Sequence, residues 1–107
     1  MKVVHGTIEG PFSAEEDIVI HGMITAGATL REGVKLILHG MITGNLVIEP
    51  QARAVIHGIV NGAILNYGGR VELFGTADAV ADRSPDAVTV VDPTALVREQ
   101  RDTRNVV

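Results

Sequence analysis

Aliphatic residues recur every six positions through the middle of the chain. Ile18, Ile24, Leu30, Leu36, Ile42, Ile48, Ala54 and Val60 keep this beat without a gap. The position four after each is small or aliphatic as well: Gly22, Ala28, Val34, Gly40, Leu46, Ala52, Gly58 and Ile64. Three such hexads make a longer unit of about 18 residues, which is marked by a His-Gly pair. The pair stands at His5-Gly6, His21-Gly22, His39-Gly40 and His57-Gly58, with Phe74-Gly75 as a fifth copy, and the glycines lie 16, 18, 18 and 17 residues apart. The copies align directly, Ile18-Val19-Ile20-His21-Gly22-Met23-Ile24-Thr25 over Leu36-Ile37-Leu38-His39-Gly40-Met41-Ile42-Thr43. A fixed internal period is the signature of a repeat architecture. A triangular coil with a short strand on each side and a tight turn at each corner fits the three hexads. The expected fold is all-β: a small single-domain parallel β-helix, or β-solenoid, with coils of about 17–18 residues.

Residues 1–86 are expected to form about five coils, and residues 87–107 a terminal strand or cap followed by a polar tail. Residues 2 to 17 read as an imperfect first coil, because Pro11 and the run Glu15-Glu16-Asp17 break the hexad. Residues 18 to 53 hold the two best coils, with Gly33 and Pro50-Gln51 at matched corners. The next coil is one residue short, and Tyr67-Gly68-Gly69 is the place to absorb the loss. Asn66 falls on an inward position, where hydrogen bonding at a turn is expected of it. Beyond Val71 the coil weakens as Ala77, Ala79 and Ala81 replace larger aliphatics. Ala87–Val91 reads as one last strand, and the segment from Thr94 as a frayed tail or a short helix capped by Thr94.

Alternation along a strand sends successive side chains to opposite faces. With Ile18, Ile20 and Ile24 inward, three outward ladders follow on one face. They are Val3, Val19, Ile37, Val55 and Glu72; His5, His21, His39, His57 and Phe74; and Thr7, Met23, Met41, Ile59 and Thr76. Strands in a sheet lie about 4.7–4.9 Å apart, so the imidazoles should form a row at that spacing. A solvated sheet face alternates apolar with polar, whereas these strands are apolar on both faces. Large exposed apolar patches mark interaction sites. The candidate interaction face is therefore Val19, His21, Met23, Ile37, His39, Met41, Val55, His57, Ile59 and Phe74. A second candidate is the N-terminal edge, Lys2, Val3, Val4 and His5, because an unpaired strand edge invites another strand.

Composition narrows the functions. The chain has no cysteine, which removes disulfides and thiolate metal sites. A net charge of −4 without a basic cluster disfavours nucleic acid. Neither a signal peptide nor a run long enough to span a membrane is present, and a cytoplasmic protein is expected. Nucleophile elbows, Walker loops and fixed carboxylate pairs are absent, so no catalytic residue is assigned. No metal or cofactor is assigned either: a straight histidine ladder gives a row rather than the cup of three ligands that a catalytic zinc needs.

The segment Ile18 to Ala79 resembles the bactofilins, polymer-forming bacterial cytoskeletal proteins, through its coil length and the motifs His39-Gly40-Met41-Ile42-Thr43-Gly44 and His57-Gly58-Ile59-Val60-Asn61-Gly62. The resemblance implies a right-handed triangular β-helix that assembles end to end without nucleotide. The six-residue beat is also similar to that of the hexapeptide-repeat acyltransferases and gamma-type carbonic anhydrases, which would imply a left-handed, trimeric enzyme. The expected function is a non-enzymatic, bactofilin-like structural protein whose partner is itself, through the solenoid ends or the apolar histidine face. With the C-terminal end covered by residues 87–107, an N-to-N dimer would be favoured. The alternative is a module that binds a second protein, for example as a toxin antagonist.

Overall fold

The structure, a computed structural model, describes residues 1–99; the part of the expected polar tail beyond Glu99 lies outside the described residues. The first coil carries β1 (Lys2–Val4), β2 (Thr7–Glu9) and β3 (Phe12–Ala14). The second carries β4 (Ile18–Ile20), β5 (Met23–Thr25) and β6 (Ala28–Leu30), and the third β7 (Lys35–Leu38), β8 (Met41–Thr43) and β9 (Leu46–Ile48). In the fourth, β10 (Arg53–Ile56) is followed by β11 (Ile59–Asn66), which runs through a corner, and in the fifth β12 (Arg70–Leu73) by β13 (Thr76–Asp82). A sixth turn begins with β14 (Val88–Val91) and β15 (Leu96–Val97).

All pairings are parallel and join equivalent strands of successive coils. Side one is β1-β4-β7-β10-β12-β14. Side two stacks β2, β5, β8, the start of β11, the start of β13, and β15; side three stacks β3, β6, β9 and the remaining halves of β11 and β13. The result is a prism of 42 × 24 × 22 Å, a β-solenoid of about five turns with no helix among the described residues.

The hexad row is the core. Ile18, Ile24, Leu30, Leu36, Ile42, Ile48, Ala54 and Val60 are all buried, joined by Ile20, Leu38, Ile56 and Leu73 on side one. No sphere is needed to bury them, because each coil covers the inward row of the next.

The departures from the beat fall at corners. Ile48 pairs with Asn66 and Arg53 with Arg70, so the missing residue is absorbed at Tyr67-Gly68-Gly69, where Gly68 adopts φ 135°. Asn66 holds this corner. Its Nδ2 donates to the carbonyls of Gly69 (3.0 Å) and Val88 (3.2 Å), and its Oδ1 accepts from the amides of Gly68 (3.1 Å) and Gly69 (2.8 Å). In the first coil the break lies at Glu15-Glu16-Asp17 alone. Ile8 pairs with Ile24 and Phe12 with Ala28 at the same offset, so Pro11 leaves the register intact.

Three expectations are corrected. A second deletion lies between Val60/Ala77 and Ala63/Ala79, where Asp78 takes the place of Asn61-Gly62. Ala79 and Ala81 consequently stack on Ala63 and Leu65 of the outward rows, and the inward residue is Val80, over Ile64. Thr94 caps no helix; its amide donates to Asp92 Oδ2 at 2.9 Å and its hydroxyl also donates to that carboxylate. The chain then re-enters side two as β15, with Leu96 beside Thr76 and Val97 beside Ala77. β14, the expected last strand, and β15 thus extend the sheets.

From the second coil on, the glycine of the His-Gly pair is dictated by close backbone approach. A Cβ at Gly40 would overlap the carbonyl oxygen of Gly22 and lie 2.8 Å from that of His21. The Gly22 carbonyl is there to accept the Met41 amide at 3.0 Å, the bond that ties one corner to the next. Gly6 sits in the same motif but at the first coil, with nothing within 4 Å of a Cβ.

Candidate interaction surfaces

The three outward ladders form in the expected register. Val3, Val19, Ile37, Val55 and Glu72 are direct partners along side one, and Thr7, Met23, Met41, Ile59 and Thr76 along side two. They do not share one face. Each strand of side one ends before the His-Gly pair, and the chain turns there, so the valine ladder and the methionine ladder lie on different sides of the prism. The histidines occupy the corner between them. Glycine marks that turn because only a residue without Cβ lets consecutive corners approach.

The corner rings stack as a continuous column. His5 and His21 have centroids 5.0 Å apart, His21 and His39 5.0 Å, His39 and His57 5.2 Å, and His57 and Phe74 5.0 Å, with interplanar angles of 7–12°. The spacing is the strand spacing stretched only slightly. Among the described residues no side chain donates to or accepts from these imidazoles, and none is ion-paired.

Between the histidine column and the methionine ladder runs an open groove of ≈ 580 Å³, floored by Gly6, Gly22, Gly40 and Gly58. His5, His39 and His57 line one wall, and Thr7, Met23, Met41 and Ile59 the other. Val19, Ile37 and Val55 are outside it, half-buried on the flat of side one, and Phe74 closes the column at the C-terminal end. Asn61, which the sequence reading left aside, braces the far wall. Its Nδ2 donates to Met41 Sδ at 3.5 Å, and Arg98 Nη1 donates to its Oδ1 at 3.1 Å and to Asp78 Oδ1 at 2.9 Å. The signal for Asn61 is faint, because its partner Arg98 lies 37 residues away.

The N-terminal edge is built from Lys2, Val3, Val4 and His5. The Lys2 amide donates to the Asp17 carbonyl (3.0 Å) and the Val4 carbonyl accepts from the His21 amide (2.7 Å), so both face the second coil. In a parallel ladder the residue between them points the other way. The Val3 backbone therefore faces out of the end of the prism, and its side chain is 52% exposed. Behind this edge the inward positions Val4, Ile8 and Phe12 are only partly buried.

The opposite end has the same character. Val80, Ala95 and Val97 pack partly buried on the core, and Val91, which continues the inward row from Leu73, is 46% exposed. Asp92 follows Val91 at the corner, and hydrogen bonds from the Thr94 hydroxyl and amide hold its carboxyl below the ordinary carboxylate range.

Among the described residues, no three His, Asp or Glu side chains converge as a metal centre. No helix among them is long and apolar enough to cross a membrane. No protein-family model, curated protein or solved structure matches the chain.

Proposed function

We propose that the chain is a non-enzymatic structural protein that self-associates by stacking its solenoid ends, as its resemblance to the bactofilins implies. One observation carries the reading. Among the described residues, the inward row is buried in every inner coil and loses its cover only at the two ends, at Val4, Ile8 and Phe12 and at Val91 and Val97. A coil from a second copy would cover either set and pair the outward-facing Val3 backbone, as each internal coil does for its neighbour.

The reading is tested by mass and shape. Light scattering with negative-stain images should show mass rising with concentration in multiples of the 11.3 kDa chain, as rods one prism wide. Phe12→Glu, which places a charge on the N-terminal end, should hold the chain as a monomer with its circular dichroism unchanged. Met41→Glu, on the side, should leave assembly intact. A monodisperse monomer at high concentration would refute end stacking. Assembly lost in Met41→Glu but kept in Phe12→Glu would favour the second reading, a side-face binding module, which the groove supports.

A further inference from the structure

We infer that the groove between the histidine column and the methionine ladder is a binding site for a soft monovalent cation, Cu(I) or its analogue Ag(I), held by Met23 and Met41 with His39. The inference is independent of end stacking. His-Gly-Met occurs twice, at 21–23 and 39–41, in adjacent coils. Met23 is the direct strand partner of Met41, and His21 stacks on His39 at 5.0 Å, so the two motifs lie one above the other. Met23, Met41 and His39 line the same groove.

Strand propensity does not account for the methionines. The other positions of their ladder are Thr7, Ile59 and Thr76, and a branched residue packs well on a pleated surface. Nor are the methionines core filler, since both are only half-buried and face the groove. The imidazoles are equally uncommitted. Among the described residues none has a hydrogen-bond or ion-pair partner, so each neutral ring keeps one unprotonated nitrogen with a free lone pair. Met41 Sδ accepts a long bond of 3.5 Å from Asn61 and keeps a second lone pair; Met23 Sδ has no such bond.

The donor set selects the ion. Thioether sulfur favours Cu(I), imidazole accepts copper as well, and carboxylates, which suit harder ions, are missing from the groove. A tetrahedral zinc site would need a cup of three or four ligands, and the described residues hold no such cluster. A soft monovalent ion is satisfied by a low-coordinate set, which two paired methionines and a histidine lining the same groove can supply. The net charge of −4 favours a cation, and Arg98 beside the groove is neutralised by Asp78.

The test uses the full chain under anaerobic conditions. Cu(I) is titrated in competition with a chromophoric chelator, and Ag(I) is titrated while the methionine methyl signals are followed by NMR. One ion per chain is expected to bind, shifting the methyl signals of Met23 and Met41 and the ring signals of His39. Met1, the third methionine, serves as the internal control and should not move. The double variant Met23→Leu, Met41→Leu preserves apolar volume and should weaken Cu(I) at least tenfold with an unchanged melting temperature. No binding by the wild-type chain, shifts confined to Met1, or equal affinity in the leucine variant would each overturn the site. So would Zn(II) bound as tightly as Cu(I) and retained by the leucine variant, because the histidine column alone would then be the ligand.

Discussion

Gly40→Ala and Gly6→Ala change the same motif by the same methyl group, and the solenoid assigns them opposite outcomes. At Gly40 the new Cβ would overlap the Gly22 carbonyl oxygen, so the third coil must lift away from the second at this corner. Three backbone bonds close that seam: Met41 to Gly22 (3.0 Å), Gly40 to Ile20 (3.1 Å) and His39 to Ile20 (2.8 Å). Losing two of them leaves buried partners unsatisfied, at about 1–2 kcal/mol each. Weakening the His21–His39 stack adds about 0.5–1 kcal/mol. The smaller unfolded-state entropy of alanine returns about 0.5–1 kcal/mol. The net cost is about 2–4 kcal/mol, a large share of the roughly 5–15 kcal/mol that holds a domain. At Gly6 nothing lies within 4 Å of a Cβ, and φ is not in the left-handed region, so Gly6→Ala should be neutral or slightly stabilising. Urea unfolding followed by circular dichroism, in dilute solution, measures both. If Gly40→Ala falls within about 0.5 kcal/mol of Gly6→Ala, the corner-to-corner argument is wrong.

Asn66→Leu should cost about 2–4 kcal/mol, because the Gly68 and Gly69 amides lose their acceptor inside the core; hydrogen exchange should quicken first along Val88–Val91, whose strand start it also bonds. Gln51→Gly should be neutral to stabilising by up to about 1 kcal/mol, since Gln51 holds φ 66° where the matched corner has Gly33 at 75°; a lower melting temperature would contradict the strain. Thr94→Val should return the Asp92 carboxyl towards the ordinary range, read by NMR titration. Because the folded-state value is the depressed one, the stability this pairing contributes is present above the unfolded-state pKa and fades as pH falls through the folded one. Arg31→Ala should change stability by no more than about 0.5 kcal/mol, because its pairs with Glu49 (3.1 Å) and Glu15 (3.8 Å) are solvent-exposed.

The sequence made the core legible because size and polarity differ between rows. Ile18, Ile24 and Leu30 keep a strict beat of six that repeats through the middle coils, and all three are buried. The stretch Ala77-Asp78-Ala79-Val80-Ala81 hid its deletion for the converse reason. Alanine fits an inward or an outward position equally well, and only pairing with Ala63 and Ile64 fixes the face. Leu96–Val97 was hidden by shortness, being two residues between polar segments that side two recruits through the Gly75 carbonyl and Leu96 amide (3.0 Å). The histidine column was readable from spacing alone. The groove was not: two apolar ladders flanking a glycine do not reveal that the chain turns between them.

The corner column would also give the proposed end stacking a polarity. Register places Asp92 directly after Phe74, as the next member of the row that begins with His5. A head-to-tail contact would therefore set an ionised carboxylate of one copy beside the His5 imidazole of the next. Shape points the same way. Parallel pairing runs through every coil of the prism, and only a head-to-tail junction preserves it. The closed dimer required a C-terminal end covered by the last residues. With β14 and β15 lying in the sheets instead, the inward row stays partly uncovered among the described residues at both ends. Under the proposed end stacking, a parallel head-to-tail junction would cover both of these ends.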